Sequence, residues 1–135
     1  MQDLSFLIVE DHEFQRMALE QTLRAMGAVS IQSAADGAEA IRLLRARPGI
    51  VDIVVTDLMM PGVDGIELMA ALKKEGAGAS LLITSANEPM LEIAGAIANG
   101  HGLAVLGMLP KPVTAEALRP LLDSYSARPP LRDEV

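Results

Sequence analysis

Cysteine is absent from the 135 residues, which excludes a disulfide framework and any thiolate metal site and leaves no redox compartment indicated. Aromatic residues are nearly as scarce: Phe6, Phe14 and Tyr125 are the whole set. No apolar run is long enough to span a bilayer. The one near the start, Leu4 to Val9, follows an acid and ends in Glu10-Asp11, so it does not read as a secretory leader either. Positive charge is in deficit, with 11 Lys and Arg against 18 Asp and Glu, a net charge of −7. That balance argues against direct binding of nucleic acid or of an anionic membrane surface, and a nucleic-acid role would need another domain. There is no internal repeat and no low-complexity segment. With half of its residues apolar, the chain fits one domain with a real core, and a soluble cytoplasmic protein is expected.

What is present is an alternation of short apolar runs and amphipathic stretches. Leu4–Val9 suits a buried parallel strand, and His12 to Met26 carries Leu19, Leu23 and Met26 at helical spacing before Gly27, a natural helix stop. Val29–Ala35 reads as a second strand. Asp36 then caps a helix with the inward stripe Gly37, Ala40, Ile41 and Leu44, closed by Pro48-Gly49. Ile50–Thr56 is a third strand. A helix follows whose Asp64 and Glu67 have capping-box spacing and whose stripe is Gly65, Leu68, Met69 and Leu72. Ser80–Thr84 is a fourth strand, Asn87 to about His101 a helix, Val105–Leu109 a fifth strand. Thr114 caps a last helix with the stripe Leu118, Leu121, Leu122 and Tyr125, kinked by Pro120. Five strands alternating with five helices predict a doubly wound α/β domain with a parallel sheet, order 2-1-3-4-5.

That order makes the first and third strands neighbours at the switch point, where ligands of open α/β sheets bind. Asp57, at the C-terminal end of the third strand, would then stand beside Glu10 and Asp11. A lone Asp after a strand can be a simple loop cap, but three carboxylates in one crevice repel unless a cation or protons relieve them. An all-oxygen ligand set selects a hard ion, Mg²⁺ or Mn²⁺. Ser85 and Lys111 follow the fourth and fifth strands and would bring a hydroxyl and an ammonium to the same mouth. A nucleophilic carboxylate, a divalent cation, a lysine and a hydroxyl make a kit for receiving a phosphoryl group.

These residues, together with Asp57-Leu58-Met59-Met60-Pro61-Gly62-Val63-Asp64-Gly65, Ser85-Ala86 and Lys111-Pro112, resemble the receiver domain of a two-component response regulator. The resemblance covers residues 4 to about 126. It implies a flavodoxin-like receiver domain over residues 1–126, with 127–135 a tail or the start of a linker. It further implies that Asp57 accepts phosphate from a histidine kinase or phosphotransfer protein, and that Asp11 and Asp57 hold Mg²⁺ with the Met59 carbonyl while Glu10 assists through water. Lys111 would pair with the phosphoryl oxygens, Ser85 would be the switch donor, and Lys111-Pro112 would be cis. Such a domain catalyses only its own phosphorylation and dephosphorylation. Its signal would pass through the fourth helix and fifth strand to a homodimer partner or to a C-terminal output domain beyond Arg128-Pro129-Pro130.

Two positions depart from the family. Met108 stands where an aromatic residue of the fifth strand often reports phosphorylation, and Ser85 and Lys111 are 26 positions apart, about one helical turn more than the family leads one to expect, which places extra length in the fourth helix or its exit loop. The stretch Asn87 to Lys111 resembles receivers joined to EAL-type cyclic-di-GMP phosphodiesterase domains. Thr84 competes with Ser85 for the switch role, and the loser is expected on the other side of the strand. His12 and His101 read as surface residues at helix ends. Three other functions compete. A phosphatase of the haloacid-dehalogenase kind resembles a strand ending Asp-x-Asp, but position 59 is Met. A flavodoxin-like cofactor carrier lacks its phosphate loop and aromatics here. A pseudo-receiver that only binds protein is disfavoured by the complete acid, hydroxyl and lysine set.

Overall fold

The computed structural model of the chain describes residues 3–47, 49–57, 65–75, 78–100 and 102–125. Met59, Asp64, His101, and the segment Arg128-Pro129-Pro130 lie outside those residues, so what the sequence predicts of them is not addressed by it. Ten elements alternate: β1 (Ser5–Val9), α1 (Glu13–Ala25), β2 (Ser30–Ala34), α2 (Gly37–Ala46), β3 (Ile53–Asp57), α3 (Gly65–Glu75), β4 (Ser80–Ser85), α4 (Glu88–Gly100), β5 (Ala104–Pro110) and α5 (Ala115–Asp123). The strands form one parallel sheet in the order β2-β1-β3-β4-β5, the expected flavodoxin-like topology. Among the described residues no helix is long and apolar enough to cross a membrane.

The helix ends are written in local chemistry. The Asp36 carboxylate accepts from the Glu39 N–H at 2.8 Å, satisfying a donor that helix geometry orphans, while the Glu39 carboxylate reaches back to the Ala35 N–H at 2.7 Å and ties down the residue before the cap. Thr114 does the same work for α5, accepting from the Ala117 N–H at 3.1 Å. At the end of α1, Gly27 adopts φ 108°, the Ala28 N–H bonds the Leu23 carbonyl, and the helix stops there in a Schellman turn.

Side chains alternate along the strands, and each face of the sheet has its own core. Leu7, Val9, Val54, Leu81 and Ile83 pack with Leu44, Leu68, Leu72, Leu91 and Ala98 of α2, α3 and α4. Phe6, Ile8, Ile53, Val55 and Leu82 pack with Leu19, Leu23, Leu118 and Leu122 of α1 and α5. Burying each such leucine or phenylalanine is worth about 1.5–3 kcal/mol. β3 begins three residues later than the sequence predicts. Ile50 is 42% exposed, and Asp52 is used to tie the approach to β1, its carboxylate accepting from the Ser5 N–H and its own N–H bonding the Ser5 carbonyl.

The extra length between Ser85 and Lys111 lies partly in β5 itself. Leu81 pairs with Val105 but Leu82 pairs with Gly107, so Leu106 is an added residue in a β-bulge. Leu106 and Gly107 consequently both face α5. Two successive side chains cannot share that space, and a Cβ on Gly107 would lie 2.5 Å from a Leu121 methyl. Gly107→Ala is therefore expected to cost about 1–3 kcal/mol through overpacking, read as a lower urea midpoint. An unchanged midpoint would mean that the Leu121 side chain swings aside without cost.

Candidate phosphoacceptor site

The C-terminal ends of β1, β3, β4 and β5 meet at one end of the sheet, and each delivers polar groups there. β1 continues into Glu10, whose N–H bonds the Ala34 carbonyl at 3.1 Å and whose carbonyl accepts from Arg16 Nη1 of α1 at 3.0 Å. Its carboxylate accepts the His12 N–H at 3.1 Å through Oε2. The chain then turns into α1, with His12 as the exposed N-cap, its Nδ1 facing the Gln15 N–H at 3.4 Å. β3 ends in Asp57, which is buried. Glu10, Asp11 and Asp57 each offer a carboxylate oxygen, and these lie within 4.8 Å of one another. The expected crevice of three acids is present.

A lysine faces them. Lys111 enters from the end of β5, its N–H bonded to the Ser85 carbonyl at 3.0 Å and its bond to Pro112 cis, as the resemblance implied. Its Nζ donates to Glu10 Oε1 at 2.6 Å, to Asp57 Oδ2 at 2.9 Å and to Gln15 Oε1 at 2.9 Å. An ammonium has three N–H groups, and all three are placed.

Burial is the largest influence on Glu10 and pushes its pKa up; the bonds from Lys111 and the His12 N–H oppose the shift, and Asp57 adds to it. Burial alone would lower Lys111, but its bonds to Glu10 and Asp57 outweigh that and raise it. Both folded values are thus above the unfolded ones. As pH rises from 4.5 towards Glu10's raised value, the unfolded chain loses a proton that the folded one keeps, so stability falls; the contribution of Lys111 holds below 10.5 and is lost as pH rises through its own raised value. In metal-free buffer, Glu10→Gln should remove the fall on the acid side, as seen in urea midpoints across that range. An identical profile in the variant would place the burial effect elsewhere.

The two hydroxyls divide between the faces of the sheet. Asp57 and Thr84 are Cα partners, so Thr84 shares the face of Asp57, and it lines with Glu10 and Lys111 a cavity of about 270 Å³ walled by Ala18 and Leu19 of α1 and by Val113. Thr84 and Ser85 do fall on opposite sides of β4, as expected, and it is Thr84 that shares the face of Asp57, because parallel register puts directly opposed residues on one face. The Thr84 hydroxyl is engaged, donating to the Thr56 carbonyl at 3.3 Å. Ser85 falls by alternation on the α4 side, wholly buried, and accepts from the Asn87 N–H at 3.0 Å, with no acceptor for its own proton among the described residues. Met59 lies outside the described residues. Gln15 and Arg16 escape sequence reasoning altogether, since their partners are set by how α1 docks against chain ends far away.

The geometry agrees with what known proteins resemble this chain. The family model for the response regulator receiver domain matches residues 6–123. The chain is 37% identical to the cyclic di-GMP phosphodiesterase RocR of Pseudomonas aeruginosa over 95% of its own length and 33% of that protein. It is 35% identical to the Regulator of RpoS of Escherichia coli over 79% of its length and 30% of that protein. It thus spans about a third of these curated relatives. Among solved structures, the receiver domain of the hybrid histidine kinase CckA superposes with a TM-score of 0.67 at 30% identity, covering 88% of this chain and 95% of that one. The Vibrio cholerae chemotaxis protein CheY4 does so with a TM-score of 0.74 at 25% identity, covering 89% and 96%. From the strand order, the acids and lysine at one end of the sheet and these matches together, the chain belongs to the response regulator receiver domain family of two-component signalling.

Proposed function

We propose that the domain, residues 1–126, takes a phosphoryl group onto Asp57 from a histidine kinase or histidine phosphotransfer protein. The observation that carries this reading is the contact set at that end of the sheet: one buried acid, Asp57, within reach of two further carboxylates and held by the ammonium of Lys111. An Asp57 oxygen attacks phosphorus, the bond from phosphorus to the donor nitrogen breaks, and the donor leaves with that electron pair. Catalysis of such a transfer is mostly positioning and charge neutralisation. Glu10, Asp11 and Asp57 fit Mg²⁺ or Mn²⁺, being hard oxygen donors gathered within 4.8 Å, with Asp11 and Asp57 as direct ligands, Glu10 acting through water and the Met59 carbonyl completing the set. A bound divalent ion would neutralise charge on the phosphoryl oxygens. Lys111 is placed to exchange its Asp57 contact for one of those oxygens, and Ser85 has a hydroxyl proton to give another.

The donor would arrive over α1, where Phe14 is 77% exposed and Met17 half-exposed. Output would pass from Ser85 into α4 and β5. Of the apolar positions of α4, Leu91, Ala94 and Ala98 belong to the core, so the presented surface is narrower than the sequence suggests and centres on Ile93, 53% exposed, and Met108, 39% exposed. Met108 lies against Gly95 of α4, where a Cβ would come within 2.6 Å of its sulfur. A flexible thioether stands there in place of an aromatic ring, which leaves backbone and helix movement as the carrier of the signal. The likeness to a cyclic di-GMP phosphodiesterase favours an output domain C-terminal to Arg128-Pro129-Pro130 over self-association. Transfer from a phosphohistidine protein, followed by borohydride reduction and peptide mapping, tests the reading: one modified aspartyl residue, at position 57, is expected, and modification elsewhere or none would refute it.

A further inference from the structure

We infer that Gln15 is a positioning residue of the phosphoacceptor site, holding the Lys111 ammonium where it meets the incoming phosphoryl oxygens; this rests on the proposed phosphoacceptor reading. Lys111 is anchored on three sides, and the three anchors are chemically unequal. Glu10 and Asp57 are carboxylates at the end of the sheet, whereas Gln15 is a neutral amide delivered by the first turn of α1, 96 residues away in sequence. When Asp57 is phosphorylated, its oxygen becomes part of the acyl phosphate and the carboxylate charge that held Lys111 moves outward onto the phosphoryl group. Lys111 follows that charge. A flexible four-carbon stem left with Glu10 alone would be pulled back towards the base of the crevice, since that bond is the shortest of the three.

Gln15 opposes this from the solvent side. Its carbonyl oxygen accepts one N–H, leaving another to aim at the phosphoryl group, and it does so without adding a fourth negative charge to a site that already holds three. A carboxylate at this position would compete with the phosphoryl oxygens, and an apolar residue would let the ammonium swing. The position of the amide is itself fixed: the Gln15 N–H faces the His12 cap, and the next residue, Arg16, bonds the Glu10 carbonyl at 3.0 Å, so the first turn of α1 is pinned to the same loop that carries the acids.

Beryllium fluoride, which takes the place of the phosphoryl group on the aspartate, provides the probe, with its affinity read by fluorine NMR in saturating Mg²⁺. Gln15→Met keeps the length of the side chain and removes the acceptor. It should weaken beryllium fluoride binding about tenfold, the worth of a hydrogen bond to a charged group, while Mg²⁺ affinity and the urea midpoint stay at wild-type values, because Gln15 is exposed and contacts none of the acids. A merely structural role would move all three together and would overturn the inference, as would beryllium fluoride affinity equal to that of the wild type. If wild-type protein itself fails to bind beryllium fluoride with Mg²⁺, the phosphoacceptor reading falls first and the role of Gln15 with it.

Discussion

Asparagine in place of Asp57 is expected to abolish phosphoryl incorporation while leaving the fold at least as stable as before. An amide oxygen does not attack phosphorus at a useful rate, and of the two buried carboxylates that Lys111 contacts, Glu10 already has its second oxygen engaged by the His12 N–H. The fold should tolerate the change because asparagine has nearly the same shape and the substitution removes one of three mutually repelling charges. Intact mass after incubation with acetyl phosphate and Mg²⁺, beside urea midpoints of both proteins, separates the two effects. Incorporation at the wild-type level in Asp57→Asn would mean that another side chain is the acceptor, and a collapsed midpoint would mean that Asp57 is structural.

Lys111→Met should have the next largest consequence, and it should reach stability as well as function. Lys111 is the shared counter-ion of Glu10 and Asp57, both buried, and its side chain is itself only 16% exposed. Without it two carboxylates face each other uncompensated, which is expected to cost on the order of 1–3 kcal/mol in metal-free buffer at neutral pH. Much of that loss should return when Mg²⁺ is added, since a ligand bound only by the folded state at 100 times its Kd stabilises by about 2.7 kcal/mol. Beryllium fluoride affinity should not return, because the metal cannot supply the N–H donors. Chemical denaturation with and without Mg²⁺ checks the first part; a midpoint unaffected by the loss of Lys111 in metal-free buffer would contradict the charge balance on which the site rests.

The strand order and the acid cluster were legible because they follow from rules that act along the chain. Apolar runs ending in Glu10-Asp11 and in Asp57, separated by helical stripes, permit few arrangements, and the right-handed crossover rule selects one that brings those ends together. Caps at Asp36 and Thr114 were readable for the same reason, each depending on a backbone donor three residues on. What escaped depends on pairing across the chain. The face of Thr84 is set by its register against Asp57, which no pattern within Ser80–Ser85 encodes. The bulge at Leu106 reverses the side on which Gly107 and Met108 fall, and a one-residue slip leaves no trace in an apolar run such as Val105 to Leu109. α4 carries apolar residues on most of its circumference, so only packing shows that Leu91 is core and Ile93 is surface. The contact of Gln15 with Lys111 joins the first turn of the first helix to the loop before the last, and only the docking of α1 creates it.

The proposed transfer requires Asp57 to be made reactive by carboxylates that hold a divalent ion and by a lysine already in place. Intact mass of the wild-type chain after incubation with acetyl phosphate, once with Mg²⁺ and once with a chelator, tests it most directly. The account predicts one added phosphoryl group with Mg²⁺ and almost none with the chelator; an unchanged mass in both, or equal addition in both, would contradict it.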